Sequence, residues 1–227
     1  MKKIIIWSFC ILISSTSSAQ KVMVVENKDH TKTTFVIDNI LRVHFEEIVF
    51  KFEYTSLNLF VGSQQRLNLI SNTDKGIVWN SSNPSIASVD NTGLVKAIKK
   101  GVTIIKAITS DGLQCQCEII VSDITDYISA SSLGGACVII NDLIQQGSQL
   151  YWKFSNNSSE WVRLKTLQLI DGVTGQEGNL MSVDVDVEAG SSVSYSTTIG
   201  LLGIHRPVTC RFRYEYNEKE YYIDATY

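Results

Sequence analysis

Between Leu57 and Val121 the chain is punctuated so often that only short strands fit. β-Rich runs recur every eight to twelve residues or so, each closed by a cluster of turn residues. Leu57-Asn58-Leu59-Phe60-Val61-Gly62 runs into a turn, and Gln65 to Ile70 alternates with Leu67 and Leu69 on one face. Ile77-Val78-Trp79 leads into the polar cluster Asn80-Ser81-Ser82-Asn83-Pro84, then Ile86 to Val89 forms another short run. Asp90-Asn91-Thr92-Gly93 is a tight turn with glycine where a positive φ is needed. Leu94 to Ala97, Val102 to Ile108 and Leu113 to Val121 complete the series. No helix of useful length fits between these turns, so the segment reads as a β-sandwich.

The run from Val78 to Asp90, Val-Trp-Asn-Ser-Ser-Asn-Pro-Ser-Ile-Ala-Ser-Val-Asp, resembles the signature of bacterial immunoglobulin-like domains of group 2. Asn91 to Ala97, Gly101 before Thr103 to Ala107, and the closing Ile119-Ile120-Val121 fit the same pattern. The resemblance covers residues 52–122, about a third of the chain. It implies a small sandwich of the kind found in surface and secreted bacterial proteins, adhesins included, often as a spacer. It brings no catalytic residues. In physical terms Trp79 is expected to anchor the core, and Pro84 stiffens the entry to Ile86.

Residues 125–227 read as a second sandwich. Seven β-rich runs are separable: Ala136 to Ile140, Gln149 to Phe154, Val162 to Ile170, Met181 to Val187, Ser191 to Ile199, Val208 to Tyr216 and Glu220 to Tyr227. Alternation is clear in Leu150, Trp152 and Phe154, and again in Val183, Val185 and Val187. Seven strands in about a hundred residues suit an immunoglobulin or fibronectin-like layout. Cys137, Trp152 and Cys210 echo the Cys–Trp–Cys order of immunoglobulins, which makes Cys137–Cys210 a candidate disulfide. Val208, not Tyr, stands two residues before Cys210, a departure from that pattern.

The ends bound the location. Lys2 and Lys3, the apolar run Ile4 to Ile13, and Ser17-Ser18-Ala19 form a signal peptide over residues 1–19. The apolar run is half the length that a membrane-spanning helix needs, so no membrane insertion is expected after cleavage. Cys10 sits inside that run behind Phe9, unlike a lipid-modified cysteine. Residues 20–50 read as a small β-hairpin segment: Val22 to Glu26 and Thr31 to Ile37 flank the polar tetrad Asn27-Lys28-Asp29-His30. Asp38 to Leu41 suits one helical turn, and Arg42 to Phe45 a third β-run. This segment is similar to a hairpin unit that often precedes such modules in exported proteins of the Bacteroidetes group. Cleavage after Ala19 leaves 208 residues with 18 basic and 23 acidic side chains. That mild acidity argues against nucleic acid or an anionic membrane as partner.

Groups that could do chemistry are sparse. His30, His44 and His205 are far apart and belong to no metal spacing or nucleophile motif. Cys115 and Cys117 lie two apart on one strand face, at the outer limit of disulfide geometry, and read as small buried hydrophobes. Asp184, Asp186 and Glu188 share one strand face: a calcium site or, more simply, a charged edge. Phe212, Tyr214 and Tyr216 share a face and are read as core, whereas Trp161, beside the polar Asn156 to Glu160 loop, is the candidate exposed glycan contact. No catalytic residue, metal or cofactor is indicated. The expectation is an all-β, exported, non-enzymatic structural or adhesion-type protein of the periplasm, outer surface or medium. Its partner would be an extracellular protein, matrix or glycan. The alternative is a carbohydrate-binding accessory protein acting through the C-terminal sandwich.

Overall fold

The computed structural model describes residues 22–26, 30–36, 47–73, 75–200 and 202–227. The signal peptide, Cys10, His44, and the turn and third run read at 38–45 lie outside the described residues. Val49–Tyr227 forms one compact unit, separate from the N-terminal one. In the N-terminal unit β1 (Val22–Glu26) and β2 (Lys32–Val36) make an antiparallel hairpin, registered from Val22 opposite Val36 to Glu26 opposite Lys32. His30 adopts a φ of 65° in the connection, the left-handed conformation a tight reversal demands.

The larger unit begins with β3 (Phe50–Phe52), β4 (Ser56–Phe60), β5 (Gln64–Arg66), β6 (Leu69–Ser71), β7 (Ile77–Ser81), β8 (Ala87–Val89), β9 (Leu94–Ala97), β10 (Gly101–Thr109) and β11 (Gln114–Ser122). One sheet runs β4-β11-β10-β7, with β4 parallel to β11; facing it are β5-β9-β8 and the pair β3-β6. The alternating run read at Gln65 to Ile70 divides into β5 and β6 around buried Leu67. Phe50, placed by the sequence at the end of the hairpin segment, belongs with Phe52 to this sandwich, because β3 pairs with β6.

The core is small-grained: Ala87, Val95, Ala97, Ile105, Ala107, Cys117 and Ile119 are almost wholly buried. Each Ile in it contributes about 1.5–3 kcal/mol through burial. Trp79 is a half-buried lid and not a central anchor. Its ring lies 5.6 Å from that of Phe52 and covers Gly93. A Cβ on Gly93 would come within 2.7 Å of that indole, and its φ is +79°. The Trp and the Gly of the signature are thus one packing unit. Its polar turn is tied down as well. Asn83 N–H donates to Thr103 Oγ1 at 2.9 Å, Ile104 N–H donates to Ser82 Oγ at 2.9 Å, and Ser81 Oγ donates to the Ala87 carbonyl at 2.6 Å.

A 3-10 turn (Ile124–Tyr127), capped by Asp123 accepting from Thr125 N, leads straight into the second sandwich. Its strands are β12 (Ile128–Ala136), β13 (Ile139–Ile140), β14 (Leu143–Ile144), β15 (Gln149–Asn156), β16 (Val162–Asp171), β17 (Met181–Val187), β18 (Ser192–Thr198), β19 (Ile204–His205), β20 (Val208–Tyr216) and β21 (Lys219–Thr226). Sheet β12-β15-β18 packs on sheet β17-β16-β20-β21, and β13-β14-β19 forms a small third sheet. This core is aromatic: Trp152, Phe154, Phe212 and Tyr214 are fully buried, and Phe154 lies 5.6 Å from Phe212 and 5.5 Å from Tyr214. The buried indole N–H of Trp152 is satisfied by Thr197 Oγ1 at 2.9 Å.

β12 was not legible from Ile128 onward, because Ser129, Ser131, Ser132, Gly134 and Gly135 give it no apolar alternation. Cys137 therefore lies in the connection after β12, not on a strand. The Cys137–Cys210 bridge is absent from the structure, where both are free thiols. A bridge across the core needs cysteines on facing central strands. Cys210 is on the central strand β20, but β15 in the other sheet presents Leu150, Trp152 and Phe154 to the core, and Cys137 is at the margin on the Gln149 carbonyl.

Candidate functional site

The two sandwiches meet at an aromatic joint. Phe60, the last residue of β4, leaves its own core and packs against the second one. Its ring stands edge-on to Tyr127 at 5.4 Å and to Tyr216 at 6.0 Å. Lys100 Nζ binds Asp126 at 2.6 Å across the same joint. The connection itself is the capped 3-10 turn, with no slack residues. Edge-on aromatic pairs add about 0.5–1.5 kcal/mol each beyond their burial, so the joint resists bending.

A second constructed region orders the loops around β13, β14 and β19. Asp171, nearly buried, accepts from the backbone N–H groups of Val173 (2.9 Å), Thr174 (2.8 Å) and His205 (2.7 Å), and its Oδ2 lies 2.9 Å from His205 Nδ1. Burial alone would raise its pKa. The donated hydrogen bonds from His205 and Thr174 outweigh that and hold the carboxyl well below the usual range. Arg206 grips the next loop through Asp142, Nη2 to Oδ1 at 2.8 Å. Sequence reading left His205 in a plain loop; its partner Asp171 is 34 positions away, beyond any local signal. The contact orders these loops.

Trp161 is solvent-exposed at 58% and immediately precedes β16, after a loop locked by Asn156. Asn156 is fully buried. Its Nδ2 donates to the carbonyls of Glu160 (2.7 Å), Val187 (3.0 Å) and Glu188 (3.2 Å), and its Oδ1 accepts from Ser158. The indole lines neither of the two depressions on the outer face of β16, β20 and β21.

Tyr222 is also exposed, at 59%, but it has company. It lies between two shallow depressions on the outer face of β16, β20 and β21. The larger, about 560 Å³, is lined by Arg211, Tyr222, Ile223 and Asp224. The smaller, about 200 Å³, is lined by Thr166, Gln168, Leu180, Arg211, Arg213 and Tyr222. Arg211 spends Nε and Nη2 on Asp224, and Arg213 Nε is buried without a partner. Strand pairing shows that Tyr221 stacks inward on Tyr214 while Tyr222 faces out.

The remaining candidates are structural. Asp184 is clamped by Arg163, Nε and Nη2 to its carboxylate oxygens at 2.9 Å each, with Lys165 Nζ at 3.2 Å. These cations hold the Asp184 carboxyl well below the usual range. Among the described residues no group of three His, Cys, Asp or Glu side chains is placed to hold a metal. Cys115 and Cys117 line the inner face of β11 as free thiols, Cys117 fully buried. Burial pushes the Cys210 thiol up to about 12. Among the described residues no helix is long and apolar enough to cross a membrane.

Comparison with known proteins agrees with this architecture. Residues 50–119 match the family described as bacterial Ig-like domain (group 2). Two uncharacterized proteins of Clostridium acetobutylicum are similar. One is 44% identical over 55 residues, 23% of this chain and 14% of that protein; the other is 36% identical over 52 residues, 22% of this chain and 5% of that protein. The chain thus spans only a small part of the relatives it matches. Among solved structures, S-layer protein SbsC domains 4 and 5 align over 80% of this chain and 97% of that one, at 12% identity and a TM-score of 0.30. Protocadherin gamma B7 aligns over 79% and 55%, at 14% identity and 0.28. Scores this low carry no argument about function. Residues 50–119 thus match the group 2 bacterial Ig-like domain, within an all-β chain of two consecutive immunoglobulin-like sandwiches.

Proposed function

We propose that this is an exported, non-enzymatic structural or adhesion-type module of the cell envelope, whose two sandwiches act as one stiff segment. The observation that carries the reading is the Phe60–Tyr127–Tyr216 joint with its Lys100–Asp126 ion pair. A linker meant to flex would leave the Phe60 and Tyr216 rings in water, whereas a presenting element gains from a fixed angle. The match of residues 50–119 to a bacterial Ig-like domain and the signal-peptide pattern of residues 1–19 support an extracytoplasmic setting. Fractionation followed by N-terminal sequencing tests it. The reading expects envelope or medium protein starting at Gln20, and a cytoplasmic chain starting at Met1 contradicts it.

A second reading, carbohydrate binding through the C-terminal sandwich, is favoured by the surroundings of Tyr222 more than by Trp161. An exposed ring flanked by Arg211, Gln168 and Asp224 offers a stacking surface with both donors and acceptors, as neutral sugars require. A panel of neutral polysaccharides tested against wild type, Tyr222→Ala and Trp161→Ala decides. Binding lost in Tyr222→Ala and kept in Trp161→Ala supports this site, and no binding by wild type ends the reading.

A further inference from the structure

The second sandwich is closed along one flank and open along the other. On the closed flank β12 and β21 approach each other, and Ile128 and Ala225 are buried between the sheets. On the open flank the edge strands are β17 and β18, and their core-facing side chains stay half-exposed: Met181, Val183 and Val185 on β17, Val193, Tyr195 and Thr197 on β18. Val187 and Ile199 at the ends of this seam are buried, so the opening is confined to its middle.

The edges differ in protection. Soluble proteins guard open strand edges with charges, bulges or cover. β17 carries Asp184 and Asp186, and Asp184 sits at φ 51° beside a register break in its partner. β21 carries Lys219, Glu220 and Asp224. β12 has its own register break between Ser132 and Gly134. β18, Ser-Val-Ser-Tyr-Ser-Thr-Thr, has none of these: no charge, no proline, no glycine and an unbroken register against β15 from Ser192–Ser155 to Thr198–Gln149.

We propose that β18 is the interface for a second copy of this chain, pairing antiparallel with its own counterpart about a two-fold axis through Tyr195. The sequence of the strand is self-complementary about that point. Ser192 then faces Thr198, Val193 faces Thr197, Ser194 faces Ser196 and Tyr195 faces itself. Core-facing residues meet core-facing residues and hydroxyls meet hydroxyls, with no like charges opposed. The two three-stranded sheets become one sheet of six. The half-exposed seam of Val183, Val185, Val193 and Tyr195 is covered by the same residues of the other copy. Asp184 and Asp186 do not oppose this, since Arg163 and Lys165 already pair with them within their own sheet. The inference is independent of the sugar-binding reading, because β18 and Tyr222 lie in different sheets.

Sedimentation equilibrium of the full exported chain over a concentration series tests it. The expected result is a monomer–dimer equilibrium with a Kd on the order of micromolar. Ser194→Lys/Ser196→Lys would place lysines opposite lysines and weaken dimerisation at least about tenfold. Its circular dichroism and melting temperature would stay unchanged, because both side chains are exposed. Mixing it with Ser194→Glu/Ser196→Glu would restore a dimer as the mixed pair only. A wild type that stays monomeric throughout overturns the proposal, as does a dimer that both double variants leave intact.

Discussion

The two sandwiches solve the same architectural problem by opposite means. The first fills its core with Ala, Val, Ile and Cys and fixes its strands through turns: Gly93 under Trp79, and Asn83 and Ser82 bonded to Thr103 and Ile104. The second fixes its strands through Trp152, Phe154, Phe212 and Tyr214, and its loops are held by buried polar hubs at Asn156 and Asp171. Where turns carry the specification, local backbone chemistry dictates residue types that can be read in the sequence. Where the core carries it, loops and outer faces are not dictated in this way. The open edge and the Tyr222 face belong to the second kind.

The contrast is sharpest in the largest effects expected. Trp152→Ala removes the biggest buried side chain and strands Thr197, and should destabilise the protein by about 3–5 kcal/mol in chemical denaturation. Gly93→Ala forces a side chain onto Trp79 at a positive φ and should cost about 2–4 kcal/mol, with the tryptophan fluorescence of the first sandwich altered. If Gly93→Ala proves neutral, the claim that turns specify the first sandwich fails.

These two positions also show what was legible. Trp79, Pro84 and Gly93 were readable because local turn chemistry needs them in order. Six of the seven runs read in the second sandwich became strands with shifts of one or two residues, since period-two alternation reports burial directly. The seventh, Ala136 to Ile140, divides between the end of β12 and β13, and the rest of β12 went unread because it is rich in Ser and Gly and owes its place to pairing with β15. The joint was invisible for a similar reason. Phe60 looks like any strand residue, and its partners Tyr127 and Tyr216 are set by how two domains dock. Trp161 was singled out from its polar loop, whereas Tyr222 emerges only from the strand pairing that turns Tyr221 inward and leaves Tyr222 on the outer face.

Smaller effects separate the polar hubs from the surface. Asp171→Asn keeps the shape but weakens its contacts with His205 and Thr174, and should cost about 1–3 kcal/mol at neutral pH. The sign of its pH dependence follows from a depressed folded pKa. The stabilisation is present above the ordinary value near 3.8 and is lost as pH falls towards the folded one. Melting of wild type from about pH 5 down to about pH 2, a range that spans the ordinary carboxylate value, should therefore fall more steeply than that of Asp171→Asn. Trp161→Ala, at a bare exposed site, should change stability by less than about 0.5 kcal/mol.

The stiffness of the joint is the claim on which the functional reading turns, and ¹⁵N relaxation of the two sandwiches measures it directly. With Phe60 held by Tyr127 and Tyr216, amides of both sandwiches should report one shared rotational correlation time, and Phe60→Ala should split it into two. Separate correlation times in the wild type would contradict a fixed two-sandwich segment.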